Sequence, residues 1–171
     1  LQDIIYNSER NIKKESISLM SDCSFIERAQ NVIITGATGS GKSFLACAIG
    51  NQACLHAYRT LYFNMNRFTE QLSLAKLQGT YIKWLNQLKK ADLIILDDFG
   101  LQQLDQNAKL ALLQMLEDRY DYKSTIIVSQ LPIEHWHSFI NEPTIADAIL
   151  DRILAKCFNF DLKGKSLRIK I

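Results

Sequence analysis

The sequence predicts an α/β fold in which a five-stranded parallel sheet lies between two layers of helices. Two observations predict it. Short apolar runs of strand length alternate with longer stretches of helical character along the chain, the pattern of strand–helix–strand crossovers. The first such run, residues 31–35, passes at once into Gly36-Ala37-Thr38-Gly39-Ser40-Gly41-Lys42-Ser43, a glycine-rich turn that opens a helix.

Each element follows from its residues. Residues 1–30 form a polar, partly helical lead-in, with a loose amphipathic pattern at Ile12, Ile17, Leu19 and Met20, and residues 24–28 lead into the first strand. A helix runs from the glycine-rich turn to about Tyr58, and residues 60–64, aromatic and β-branched at the ends, make the second strand. Phe68, Leu72, Ala75 and Leu77 form the apolar stripe of a helix over 67–77, broken by Gly79, and residues 81–90 form another. Residues 93–97 are the third strand, 107–120 a helix and 124–129 the fourth strand. Pro132 opens a short helix, and Pro143 suits the first turn of one running to Lys156. Residues 157–160 and 167–171 read as strands about the turn Lys163-Gly164-Lys165.

The glycine-rich turn matches G-x-x-x-x-G-K-[ST], the phosphate-binding P-loop, in its required strand–turn–helix context. Gly36, Gly39 and Gly41 let the backbone fold back and gather its N–H groups around a phosphate. The following helix adds its positive N-terminal end, Lys42 reaches the outer phosphates and Ser43 offers a hydroxyl to Mg²⁺. Ala37, Thr38 and Ser40 complete the ATP-binding loop. A second motif follows 55 residues later, counting from Lys42 to Asp97: four apolar residues and then Asp97-Asp98, the Walker B pattern. Acids at the carboxyl end of a buried parallel strand lie at the rim where α/β folds bind ligands. Asp97 is the candidate Mg²⁺ residue, with Ser43, and Asp98 the candidate that orients and deprotonates the attacking water.

In one large division of P-loop ATPases the strand after the Walker B strand lies between it and the P-loop strand. Residues 124–129 would be that strand, which makes Gln130, or else Ser129, the polar group facing the γ-phosphate. Arg152 lies on a largely apolar helix. It reads either as an arginine finger offered to a neighbouring subunit's nucleotide or as a surface partner of Asp147 or Asp151, and the residues alone leave both open.

At 171 residues, 47% hydrophobic and 22% charged, the chain is read as one domain with a full core, residues 1–171, and its net charge of +2 identifies no partner. No apolar run approaches the roughly 18 residues of a membrane helix, and no signal peptide is visible. The chain begins at Leu1 rather than Met, so a missing upstream domain is expected. Cys23, Cys47, Cys54 and Cys157 lack metal-site spacing and read as reduced core cysteines of a cytoplasmic protein. His56, His135 and His137 are no better as ligands.

Positive charge is concentrated in two stretches. Residues 61–90 carry Arg67, Lys76, Lys83, Lys89 and Lys90 against Glu70 alone, with Tyr81 and Trp84 interleaved. Residues 152–171 carry six cations against Asp161. The first stretch is either a backbone-binding surface for nucleic acid or a solvated helix face over a core tryptophan.

These motifs carry a resemblance. The chain is similar to the ATPase domain of the IstB-like transposition helpers, relatives of the DnaC helicase loaders in the initiator clade of AAA+ proteins, over about residues 3–170. The stretches that carry it are 31–46, 93–100, Leu116-Glu-Asp-Arg-Tyr120, Ser124-Thr-Ile-Ile-Val-Ser-Gln-Leu-Pro132 and Thr144-Ile-Ala-Asp-Ala-Ile-Leu-Asp-Arg-Ile153. The resemblance implies ATP bound between subunits, assembly as a ring or spiral of copies on DNA, and service to a transposase. It puts the arginine finger on Arg152 and makes residues 65–90 a helical insertion contacting DNA, with Arg67, Lys76 and Lys83 as candidate contacts. The Ser-Gln-Leu-Pro and Ala-Asp-Ala-Ile-Leu-Asp-Arg segments favour the transposition helper over the alternative, a loader of the replicative helicase. A small-molecule kinase and a DNA-coating scaffold that does not turn ATP over are rivals of other classes. Asp98 stands where most AAA+ proteins carry Glu, and the chain leaves no room for the usual C-terminal helical lid. Adenine contacts are thus unassigned, with Tyr6 and Ile12 as weak candidates.

Overall fold

A computed structural model describes residues 12–164. Lys14–Ser21 (α1) and Ser24–Glu27 (α2) precede Asn31–Gly36 (β1) and Lys42–Leu55 (α3). Thr60–Asn64 (β2), Met65–Leu77 (α4), Tyr81–Lys90 (α5), Leu93–Phe99 (β3) and Gln106–Arg119 (α6) follow. Ser124–Ser129 (β4), a 3₁₀ turn over Ile133–His135, Trp136–Ile140 (α7), Pro143–Leu154 (α8) and Cys157–Leu162 (β5) complete the described chain. The five strands form one sheet, ordered β2-β3-β4-β1-β5, and every pairing is parallel. β4 therefore lies between the P-loop strand and the Walker B strand, as the sequence predicts.

Alternation within the strands separates two cores. Val32, Ile34, Leu93, Ile95, Ile126 and Val128 pack with α1, α2 and α3. Ile33, Ile94, Leu96 and Ile127 pack on the other face with α4 to α8. Gly50 permits α3 to lie close on the sheet, because a Cβ there would stand 2.7 Å from the Ile95 Cδ1.

Several expectations are corrected in detail. Ser24–Glu27 form a short helix, where residues 24–28 were expected as a simple lead-in. β3 runs two residues past Asp97, through a register shift against β4 between Leu96 and Phe99. Asp98 sits in that irregularity with φ 60°, a left-handed conformation that Asp tolerates better than most residues. Of the four cysteines only Cys23 is buried; Cys47 and Cys54 lie exposed on α3, whose packing face is instead Leu45, Ala46, Ile49 and Ala53. The strand predicted at 167–171 lies outside the described residues. No described helix is long and apolar enough to cross a membrane.

The end of the sheet away from the P-loop is held by two polar side chains. Asn31 donates to the carbonyls of Arg152 and Ile153 at 3.2 Å and accepts from the Thr125 N–H, joining the end of α8 to β4. Arg119, 1% exposed, donates to the carbonyls of Leu88 and Ala91 at 2.7 Å and to that of Ser124, with longer bonds to Asp92 O and Thr125 Oγ1. It supplies a donor to the Ala91 carbonyl at the end of α5 and a second one to that of Leu88, which also accepts the Ala91 N–H. Burial pushes its guanidinium down to about 10. Arg119→Ala is expected to cost about 3 kcal/mol by removing these charge-assisted bonds from buried carbonyls, a fall in melting temperature of roughly 6–12 °C, measured by calorimetry.

Candidate functional site

The P-loop is built as its spelling requires. Gly36, Gly39 and Gly41 have φ of 146°, 79° and 94°. At Gly36 a Cβ would stand 2.5 Å from the Leu162 carbonyl oxygen and 2.9 Å from Ser40 Oγ, so β5 and the loop can close on glycine alone. Gly41 caps α3 without a side-chain bond, which leaves the first-turn N–H groups to point into the loop. Lys42 folds back so that its Nζ donates to Ala37 O at 2.8 Å. Thr38, Gly39, Gly41, Lys42 and Ser43 line a cleft of about 320 Å³, together with Phe44, Asp98 and Gln130.

The two acids are separated in role by their partners. Asp97 is 2% exposed and is not among the residues lining the cleft. One of its oxygens accepts the Asp98 N–H at 2.8 Å and the other accepts the Tyr62 hydroxyl at 2.7 Å. Asp98 does line the cleft, and its Oδ2 accepts from Asn64 Nδ2 at 2.6 Å. Asn64 also caps α4, its Oδ1 accepting the Asn66 N–H at 3.0 Å. One amide thus holds the acid and the first turn of the next helix. Burial, then the bond to Asp97, raises the Tyr62 phenol. Partial burial and the charge of Asp97 raise the Cys47 thiol above its ordinary value.

Of the two γ-phosphate candidates, Gln130 faces the cleft and Ser129 does not. Thr38 Oγ1 donates to Gln130 Oε1 at 2.8 Å, so Gln130 reaches the P-loop itself. Ser129 is fully buried; its hydroxyl donates to Phe99 O and accepts the Leu131 N–H at 3.0 Å. It fixes the turn after β4 to the turn after β3, and with them the spacing of Gln130 and Asp98. Sequence reasoning missed Tyr62 and Asn64. Their signal was position: Asn64 pairs with Asp97 in register at the end of β2, and Tyr62 lies two residues before it.

The remaining candidates lie elsewhere. The Arg152 guanidinium donates to Asp151 at 2.8 Å and Glu117 at 3.1 Å and lies 5.8 Å from the Tyr120 ring centre. Its helix end is tied to Asn31, at the start of β1, whereas the P-loop follows the end of β1. Five residues of extended strand, about 17 Å, separate the two. Arg67 pairs with Glu70 on exposed α4, and Lys76 donates to Asn107 at 2.8 Å with Tyr81 beneath it at 5.0 Å. Nine positions apart, Arg67 and Lys76 fall about 180° apart around α4. Lys83 lines a separate groove of about 420 Å³ between α4 and α5, with Gln71, Gln78, Thr80 and Trp84. Ile12 packs against the α1–α3 core, and Tyr6 lies outside the described residues. His137 meets Asp147 at 3.1 Å, and no metal-ligating cluster of histidine, cysteine and carboxylates occurs among the described residues.

The residues present fit a nucleotide triphosphate and a hard divalent cation. The loop's N–H groups and Lys42 are donors for phosphate oxygens. Ser43 and Asp97 offer oxygen only, the donor type Mg²⁺ takes alongside its own waters.

Comparison with known proteins agrees with this site. The profile of the family described as IstB-like ATP binding protein matches residues 1–171. An insertion sequence ATP-binding protein of Sinorhizobium fredii is 42% identical over 167 residues, 98% of this chain and 68% of that protein. The insertion sequence IS21 ATP-binding protein of Pseudomonas aeruginosa is 29% identical over 170 residues, 99% of this chain and 64% of that protein. In fold the chain is similar to the replication initiator DnaA bound to AMPPCP and single-stranded DNA, with TM-score 0.77, 19% identity, and 96% of this chain on 49% of that one. It is also similar to the DnaC helicase loader, with TM-score 0.70, 18% identity, and 95% of this chain on 94% of that one. The sheet and helices share the fold of the matched parts of these two proteins.

Asn64 yields a stability test. Asn64→Ala uncaps α4 and is expected to cost about 1 kcal/mol in denaturant unfolding. Asn64→Asp keeps the cap but sets a carboxylate against Asp98, so one carboxyl of the pair is raised in the folded state. Relative to wild type, its stability should be retained at low pH and fall as pH rises above about 4.

Proposed function

The chain belongs to the IstB-like ATP-binding proteins, and on that premise we propose that it is an ATPase core that hydrolyses ATP with Mg²⁺, assembles with further copies on DNA, and assists a transposase in insertion-sequence transposition. The observation that carries the ATPase reading is the meeting of the P-loop, Asp98 and Gln130 in one cleft. Backbone N–H groups of residues 36–43 cradle the phosphates, and Lys42 turns from Ala37 O to the outer ones. Ser43 and Asp97 hold Mg²⁺, which supplies charge neutralisation on the phosphates. Asp98 orients the attacking water and takes its proton, and Gln130 bonds the γ-phosphate.

Arg152 cannot serve its own subunit's cleft across the length of β1. That separation supports its role in trans, where a finger is worth about 10³–10⁵-fold in rate. In the single chain it rests on Glu117 and Asp151. The excess of cations on α4 and α5 supports a DNA contact there, with Lys76 and Lys83 as its residues and Arg67, on the opposite side of α4, as a separate candidate. The names of the insertion-sequence relatives support the transposase as partner, and the fold shared with the DnaC loader makes a replicative helicase the alternative.

Lys42→Ala is expected to abolish ATP binding, and Arg152→Ala to retain binding but lose hydrolysis by about 10³-fold. Mixing the two should restore part of the rate, because a Lys42→Ala subunit still offers Arg152; no rescue in a co-assembled mixture would refute the trans role. Lys76→Ala with Lys83→Ala should weaken duplex binding and reduce the slope of log affinity against log salt by roughly 1.8. An unchanged slope would put the DNA elsewhere. Pull-down against a transposase and a replicative helicase separates the two partner readings.

A further inference from the structure

Tyr62 has no place in the scheme above, yet its hydroxyl donates to Asp97. It sits on β2, paired in register with Ile95, two residues before Asp97 on β3. Ile95 packs into the core under α3, so Tyr62 and Asp97 share the α3 side of the sheet. On that helix Cys47 lies one turn beyond Ser43, on the same face.

The Tyr62 side chain is 47% exposed, whereas the carboxylate it binds is 2% exposed. Packing alone would not ask for a phenol here, since a phenylalanine ring covers the same surface. The hydroxyl does one specific thing: it donates to Asp97 Oδ2 at 2.7 Å while the Asp98 N–H donates to Oδ1 at 2.8 Å. With one donor on each oxygen the plane of the carboxylate is fixed, and each oxygen keeps a lone pair for a cation or its water shell. Partners that orient a ligating carboxylate are commonly worth 10–100-fold in metal affinity.

We propose that Tyr62 is a positioning residue for the divalent cation: its hydroxyl holds the Asp97 carboxylate in the orientation that serves the cation beside Ser43, and so sets the Mg²⁺ dependence of ATP binding. The inference rests on the Mg²⁺–ATP reading of the cleft. It is tested by titrating a fluorescent ATP analogue into wild type and Tyr62→Phe across a series of Mg²⁺ concentrations and in EDTA. The variant should need about tenfold more Mg²⁺ for half-maximal enhancement of binding, with its affinity in EDTA unchanged. In an Asp97→Asn background, adding Tyr62→Phe should have no further effect on the Mg²⁺ dependence. An unchanged Mg²⁺ requirement in Tyr62→Phe, an equal shift with or without Asp97, or a lower requirement would each overturn the inference; the last would mean that the phenol competes with the cation. If wild type binds the analogue equally well with Mg²⁺ and in EDTA, the metal reading itself fails and the inference falls with it, a failure visible before any variant is made.

Discussion

The site depends on β4 lying between β1 and β3, and on the hydroxyl that locks its end. In a parallel sheet all carboxyl ends emerge on one side, so the turns after β1, β3 and β4 must meet there. Ser129 fixes how they meet. By donating to Phe99 O and accepting from the Leu131 N–H, it ties the turn that carries Asp98 to the turn that carries Gln130. Gln130 then reaches across to Thr38 of the P-loop. Three segments separated by more than thirty residues each become one surface.

A second set of constraints comes from the edge strand. β2 contributes nothing to the cleft lining, but Tyr62 and Asn64 at its end each hold one of the two acids. Asn64 belongs to α4 as much as to the sheet, because the same amide caps that helix. The helical pair α4–α5, which carries Arg67, Lys76 and Lys83, is thus connected to the acid pair at one end and held at the other through Arg119, which donates to the carbonyls of Leu88 and Ala91. The insertion is braced against the sheet at both of its ends by polar contacts, in addition to its apolar packing.

Much of this was legible in the residues. The three inner strands read as apolar runs because a parallel sheet buries both faces, and the P-loop and Walker B motifs stood out because glycines, a lysine and paired acids have few other reasons to occur at those places. Other features were less legible. The extension of β3 through Asp98 depends on a register shift against β4, which local pattern does not encode. The cysteines of α3 were read as core because the helix is apolar overall, whereas its orientation on the sheet exposes Cys47 and Cys54. A choice between Ser129 and Gln130 required knowing which side chain the turn after β4 directs inward.

By itself, then, the sequence determined the fold class, the phosphate-binding loop and the identity of the acids, since each is a local pattern with a local physical cause. Tertiary structure alone decided what holds those groups: Tyr62 on Asp97, Asn64 on Asp98, Ser129 beneath Gln130. It also decided that Arg152 lies a strand's length from its own P-loop. These are relations between segments distant in sequence, fixed by strand order and register, and no single segment carries them.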